Sequence, residues 1–297
     1  MTLTFLGTSA GEEYPGIWCE CAYCETARKL GGRNIRRNSC AVIDDDVMID
    51  IGKSAHIQAE RFGINLRKIE TLLVTHSHND HFNTHTLWAR QMPPGYDLLP
   101  QSERQGLVSS RFSPLPMLNM FGSNQVFETL KADGKGFDSE RWNLDFTVVE
   151  PFRTYTAPGL EFFTLDGNHT DSYENNSRAV NYIITRDGVT FLYLSDSGFP
   201  FDATLDAIKR FKYDFIITEG TFGQSTGGTS GHMRLDINLR VLDFFNENRL
   251  WKGAPDYYLT HIAPHWTPPH DEYVKIVENH GLKLAYDGLV LEYPAKG

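Results

Sequence analysis

Over the first fifty positions the apolar residues fall in short clusters separated by turn residues. Residues 2–6, 40–43 and 47–51 read as strands, the last two joined by an acidic turn at 44–46. Residues 54–62 carry helical spacing and stop at Gly63. The run KIETLLVT at 68–75 has the apolar character of a buried strand, and a helix is expected over 84–91 before Pro93 and Pro94 stop it. From 93 onward the periodicity weakens among Pro, Gly and Ser, so about 93–146 reads as a lid-like insertion. Strands resume at 146–150, 160–165, 179–185 and 189–195, with Asp187 and Gly188 as a hairpin turn between the last two. A helix at 202–211, a strand at 215–218, a Gly/Ser/Thr-rich loop at 220–231 and a helix at 235–246 follow. The tail adds a strand at 257–260, a helix at 271–280 and strands at 283–285 and 289–293.

Two strand-rich halves, each followed by helices, imply two sheets packed face to face between helical layers. The chain is therefore expected to be one α/β (α+β) domain over 1–297. Its 297 residues, 40% hydrophobic and 22% charged, match an ordinary globular protein and suffice for one large core. The net charge of -10 argues against bulk nucleic-acid binding, which needs a basic face, but leaves room for a local phosphate pocket. No run of 18 apolar residues and no basic, apolar leader occur, so neither membrane insertion nor export is expected, and the cytoplasm is the expected location.

Four cysteines are present, three of them crowded at Cys19, Cys21 and Cys24. In a reducing compartment such crowding points to a metal rather than to disulfides. The strongest motif is His76-Ser77-His78-Asn79-Asp80-His81, placed directly after an apolar strand. Imidazole and carboxylate suit Zn, Mn or Fe, and alternate residues at a strand end project the same way, so His76 and His78 can meet one ion. Asp80 and His81, on the turn that follows, can serve a second. His169, Asp196 and His261 each lie just past another expected strand and would supply the remaining ligands, including a carboxylate bridge.

These seven residues, in this order and spread over most of the chain, resemble the metallo-β-lactamase superfamily. The resemblance implies an αββα sandwich of two mixed sheets flanked by helices. It also implies one metal on His76, His78 and His169, another on Asp80, His81 and His261, and Asp196 between them. Phe5-Leu6-Gly7-Thr8, Ile49-Asp50-Ile51-Gly52 and Leu259-Thr260-His261 support it. Asp50 is expected to orient a metal-bound histidine. The loop Trp18-Cys19-Glu20-Cys21-Ala22-Tyr23-Cys24, followed by Arg36-Arg37-Asn38-Ser39-Cys40, is similar to the phosphoribosyl cyclic phosphate phosphodiesterases. That likeness implies a structural zinc on Cys19, Cys21, Cys24 and a histidine soon after the last catalytic ligand, with His265 favoured and His270 the alternative. Cys40 reads as a small core residue.

The same family carries a histidine at the position of His232, where it would protonate or stabilise the leaving oxygen. The expected activity is a metal-dependent hydrolase, a phosphodiesterase cleaving a small cyclic or diester phosphate with a hydroxide activated by two divalent ions (Zn, Mn or Fe). Asp80 would hold the nucleophile's proton. Two alternatives share parts of the pattern: a non-hydrolytic cofactor-biosynthesis protein resembling the B proteins of pyrroloquinoline quinone biosynthesis, and a nuclease of the tRNA-processing type. The partner expected is a small phosphate ester, and the exposed insertion could serve as a homodimer contact. Arg33, Arg36 and Arg37 could touch substrate, Arg90 could face the site, and His85 could support it, although structural or solvated roles suit them as well.

Overall fold

The computed structural model describes residues 1–90, 100, 115–132, 136–172, 174, 176–226 and 231–295. Its strands are β1 (Thr2–Gly7), β2 (Cys40–Ile43), β3 (Val47–Ile49), β4 (Thr71–Leu73), β5 (Leu118–Gly122), β6 (Leu144–Val148) and β7 (Thr154–Ala157). Then come β8 (Leu160–Ser172), β9 (Ser177–Arg186), β10 (Val189–Leu194), β11 (Phe215–Glu219), β12 (Tyr257–Thr260), β13 (Lys283–Leu284) and β14 (Val290–Glu292). The helices are α1 (Ala22–Leu30), α2 (Ala55–Arg61), α3 (Thr84–Trp88), α4 (Asn124–Ala132), α5 (Ser139–Trp142), α6 (Asp202–Ile208), α7 (Leu235–Glu247) and α8 (His270–Glu278). Among the described residues the strands form two seven-stranded sheets, ordered β14-β1-β2-β3-β4-β5-β6 and β13-β12-β11-β10-β9-β8-β7.

Each sheet is antiparallel in one half and parallel in the other: β3 to β6 run parallel, as do β10 to β13. Alternate side chains of each strand enter different apolar layers, as the two-residue period of a strand requires. Phe5, Phe162, Tyr182, Phe191 and Phe215 meet between the sheets. Leu192, Ile216, Val241, Phe245 and Tyr273 pack the second sheet against its helices. Val42, Met48, Leu72, Val126 and Trp142 do the same outside the first. All six residues of β10 and all five of β11 are buried, the signature of strands covered on both faces. Each large side chain fully buried in these layers contributes about 1.5–3 kcal/mol. The αββα sandwich expected from the sequence is the observed architecture.

The expected lid-like insertion over 93–146 is corrected for its second half. Residues 118–122 form β5, paired parallel with β4, and β6 pairs parallel with β5, so this stretch extends the first sheet. Trp142 and Leu144 are fully buried beneath it. The expectation for 91–99, 101–114 and 133–135 falls outside the described residues. Smaller corrections follow the same lines. The strand expected over 68–75 is regular only over Thr71–Leu73, and a 3₁₀ turn, Leu66–Lys68, precedes it. The loop holding the cysteines contains α1, stopped at Gly31 with φ +63°, a left-handed conformation that suits glycine.

Candidate metal centre

The C-terminal ends of parallel strands point one way, and open α/β sheets gather their ligands there. β4 leads to His76, β10 to Asp196, β11 ends in Glu219, and β12 leads to His261. His169 comes from the antiparallel β8, within a break in register between Asp166 and Thr170. The turns needed to aim side chains inward show in the backbone: Asp50, Asp196 and His261 have φ of 61°, 42° and 55°. Left-handed backbone at non-glycine residues is strained and clusters where geometry is dictated by function.

Two groups of donors meet around one carboxylate. His76 Nε2 lies 3.0 Å from His78 Nδ1, and His169 Nε2 lies 3.3 Å from that same atom. Asp196 Oδ2 stands 3.5 Å from His76 Nε2 and 3.8 Å from His169 Nε2. On the other side His81 Nε2 and His261 Nε2 are 3.2 Å apart, with Asp80 Oδ2 3.4 and 3.5 Å from them. Asp196 Oδ1 faces this second group, 3.4 Å from His81 Nε2 and 2.9 Å from His261 Nε2. A tetrahedron of nitrogen ligands around zinc at ~2.0–2.1 Å has edges of about 3.4 Å, so both groups have the dimensions of an ion's ligand set. Asp196 Oδ1 is buried and, though 2.9 Å from His261 Nε2, makes no well-directed hydrogen bond, so a bridging role between two ions would satisfy it. The donors present therefore fit a dinuclear centre.

The far side of each ring is held. His81 Nδ1 lies 2.7 Å from Asp50 Oδ2, as expected of Asp50, and Asp50 also accepts from Thr75 N at 2.8 Å. His76 Nδ1 meets Thr75 Oγ1 at 3.1 Å, His169 Nδ1 meets the Gly231 carbonyl oxygen at 3.1 Å, and His261 Nδ1 meets Thr221 Oγ1 at 2.8 Å. Such contacts fix ring orientation and tautomer. Burial keeps His76 and His169 below the usual imidazole pKa, hence neutral with a lone pair to offer. Burial alone would raise Asp80 and Asp196, but His81 beside Asp80, and His261 and His81 beside Asp196, hold both carboxyls well below their ordinary range. Conversely, His261 would be lowered by burial but is raised by Asp196 to about 10.

His232 sits against this centre. Its ring stacks on His261 at 5.8 Å with 10° between planes, and lies 4.6 Å from the His169 ring. His232 Nδ1 is 2.8 Å from Glu219 Oε1, a fully buried carboxylate that also accepts from Ser197 N at 2.8 Å. Burial would lower the His232 pKa, but the Glu219 charge prevails and raises it. Sequence reading missed Glu219, although it ends an apolar strand just as Asp196 and His261 follow theirs. It also missed Asp171, whose Oδ1 accepts from Ser77 N at 2.8 Å and Ser77 Oγ at 2.6 Å, tying the His76–His78 turn to β8.

A second cluster lies apart from the first. Cys19, Cys21, Cys24 and His265 place their donor atoms within 4.8 Å of one another. Cys19 Sγ and Cys21 Sγ are 3.3 and 3.7 Å from His265 Nδ1, while His265 Nε2 meets Glu12 Oε2 at 2.7 Å. Three thiols and one imidazole are a donor set that could close around one tetrahedral metal ion. Burial acts to raise the Cys21 thiol, yet hydrogen bonds from the Cys24 backbone and His265 bring it down to about 6. His270 is elsewhere: its Nδ1 accepts from Arg36 at 2.9 Å. Cys40 is a buried core residue, as expected.

The remaining basic candidates are structural. Arg36 is buried and braces Thr8 and the Ala285 carbonyl oxygen, Arg37 pairs with Glu13, and Arg33 lies over the Tyr286 ring. Arg90 donates to backbone carbonyl oxygens and does not reach the metal centre, and His85 is exposed. Of the loop at 220–231, residues 227–230 lie outside the described ones. No helix among the described residues is long and apolar enough to cross a membrane.

Comparison with known proteins agrees with this fold. A family model described as the beta-lactamase superfamily domain matches residues 46–262. A crystal structure of a diphosphatase from the PhnP family is similar over 99% of this chain and 98% of its own, with a TM-score of 0.70 at 22% identity. Zn(2+)-bound PqqB from Methylobacterium extorquens is similar over 99% and 100%, with a TM-score of 0.68 at 17% identity. The short form of human tRNase Z is similar over 99% and 100%, with a TM-score of 0.61 at 16% identity. No curated protein matches the chain by sequence.

Proposed function

The chain belongs to the metallo-β-lactamase superfamily, and from that premise we propose that it is a metal-dependent hydrolase, specifically a phosphodiesterase acting on a small cyclic or diester phosphate. The observation that carries the reading is the Glu219–His232 pair set against a dinuclear ligand set. His76, His78 and His169 would hold one ion, Asp80, His81 and His261 the other, with Asp196 between them. When bound, two divalent ions (Zn, Mn or Fe) would supply Lewis-acid charge at the phosphoryl oxygens and lower the pKa of the attacking water.

The protein's own groups do the rest. Asp80, kept ionised by His81, takes up the nucleophile's proton. Glu219 fixes the His232 ring through Nδ1 and stabilises its protonated form, so the proton given to the departing alkoxide leaves from Nε2. A non-hydrolytic role leaves this pair without a task. A tRNA-processing nuclease needs a basic gripping surface, and the net charge of -10 speaks against one. Cys19, Cys21, Cys24 and His265 would hold a structural zinc, which pins the N-terminal loop to the segment after His261. The neighbour described as a PhnP-family diphosphatase supports phosphoryl chemistry as the reaction class.

The test is a substrate panel on metal-loaded protein: bis(p-nitrophenyl) phosphate, p-nitrophenyl phosphate, a glutathione thioester and a homoserine lactone. The diester should be turned over fastest. Turnover confined to the thioester or lactone would overturn the phosphodiesterase reading.

A further inference from the structure

Trp266 is 49% exposed on a segment that is otherwise held down. Pro264, Thr267, Pro268 and Pro269 around it are buried. Tyr14 Oη donates to the Thr267 carbonyl oxygen at 3.0 Å, and Thr267 Oγ1 donates to the Ala263 carbonyl oxygen at 2.7 Å. Gly223 packs directly against this segment. A Cβ there would run into the Thr267 methyl and come within 2.8 Å of the Trp266 carbonyl oxygen, and its φ of 48° suits glycine. A large indole is thus kept in solvent by a backbone that is pinned from several sides.

The indole is the outer end of a row of rings. Phe222 lies 5.6 Å from Trp266 with 76° between planes, and 5.6 Å from His232 with 78° between planes. His232 in turn lies 4.6 Å from the His169 ring and 5.8 Å from the His261 ring. Phe222 N donates to the Met233 carbonyl oxygen at 3.1 Å, which ties the middle of the row to the residue after His232. An aromatic edge therefore runs from the candidate metal centre to the surface. Single exposed apolar residues need no explanation, but contiguous ones beside a polar site mark where a ligand lies. Aromatic pairs favour edge-to-face and offset contacts at centroid separations of about 4.5–7 Å, so such a row accepts a further flat ring in the same way. Direction decides which part of a substrate meets it. His232 faces the departing oxygen, and whatever that oxygen carries leaves the centre on the side of Phe222 and Trp266.

We propose that Phe222 and Trp266 seat the departing alcohol, and that the substrate class is a phosphate diester whose leaving group carries a flat aromatic ring. The proposal rests on the phosphodiesterase reading, which puts the leaving oxygen at His232.

Isothermal calorimetry on metal-loaded protein tests it with phosphonates of equal charge that cannot be hydrolysed. Ethylphosphonate reports the metal centre alone. Phenethylphosphonate and cyclohexylethylphosphonate add a ring of the same carbon count, flat in the first and puckered in the second. General apolar contact favours the cyclohexyl compound, whereas an aromatic seat favours the phenyl one. Phenethylphosphonate should bind about ten-fold tighter than its cyclohexyl counterpart, the scale of one ring stacked on an aromatic side chain. Trp266→Leu keeps apolar bulk without the flat ring and should erase that ratio, while Trp266→Phe should keep part of it. Phe222→Leu, which leaves the segment after His265 intact, should lower the ratio in the same direction. Equal binding of the two ring ligands by the wild type, or a ratio unchanged in both leucine variants, would overturn the aromatic seat alone. Failure of ethylphosphonate itself to bind would overturn the phosphoryl reading and the seat with it.

Discussion

A fully buried Glu219 holds the half-buried His232: the carboxylate Oε1 lies 2.8 Å from the ring Nδ1, and the ring stacks on His261 of the candidate metal centre. A histidine so oriented presents its other nitrogen to a leaving group. His232→Ala should lower diester turnover by about 10²–10⁴, the range of a general acid, with metal content unchanged. Glu219→Gln should give an intermediate loss, since the ring keeps a partner but not a charge. Parallel turnover and metal assays decide it. Unchanged turnover in His232→Ala would remove the residue from the reaction.

Asp171 should matter without touching an ion. It holds Ser77, between His76 and His78, to the strand that carries His169. Asp171→Ala is expected to weaken metal binding at the dinuclear centre by about 10–100-fold, as loss of a ligand-orienting group does. Competition with a chromogenic chelator measures this. Ser77→Ala, which keeps the backbone N–H bond, should show a smaller effect of the same sign.

The chemistry was more legible in the sequence than the outline of the fold. The candidate ligands lie where apolar strands end, so His76, His169, Asp196 and His261 announce themselves by a polar residue after a buried run. Glu219 carries the same signal but follows Ile216-Ile217-Thr218 as a strand residue, and its role appears only when His232 is folded beside it. Strand β5 was hidden for a different reason. Four of its five residues are buried between parallel neighbours and show no alternation, and the Pro- and Gly-rich surroundings suggest a loop. Arg36 reads in sequence as a structural or solvated residue with substrate contact as the alternative, and tertiary packing decides for the former by making it a buried brace for Thr8 and His270.

Asp287 gives the fold a pH dependence of known sign. It is buried and accepts from Thr8 Oγ1, Arg37 N and Gln58 Nε2, and burial raises its pKa from 3.8 to about 6. A carboxyl whose folded pKa exceeds the unfolded one stabilises fully below the unfolded value and loses that stability as pH rises through the folded value. Between about pH 4 and 6 wild type should therefore lose roughly 3 kcal/mol relative to Asp287→Asn, which does not titrate. Urea unfolding of both proteins at pH 4.5, 5.5 and 7 reads the difference. A constant gap would place the Asp287 pKa at its ordinary value.

Loss of the cysteine cluster should separate from loss of activity metals. Cys21→Ser should remove about one zinc per chain and lower the unfolding temperature, because a structural zinc contributes directly to folding. Asp80→Ala should do the reverse, abolishing turnover with the melting temperature and the tightly held zinc preserved. Calorimetric melting and metal analysis of the two variants distinguish the sites.

The central claim is that this chain assembles a dinuclear hydrolytic centre beside a separate thiolate site. Mass-spectrometric metal content on protein purified without added metal, paired with bis(p-nitrophenyl) phosphate turnover, tests it most directly. About three ions per chain are expected, one of them zinc that resists chelation, with cleavage that is lost on chelation and restored by Zn or Mn. A single tightly held zinc, with no turnover after either metal is restored, would contradict it.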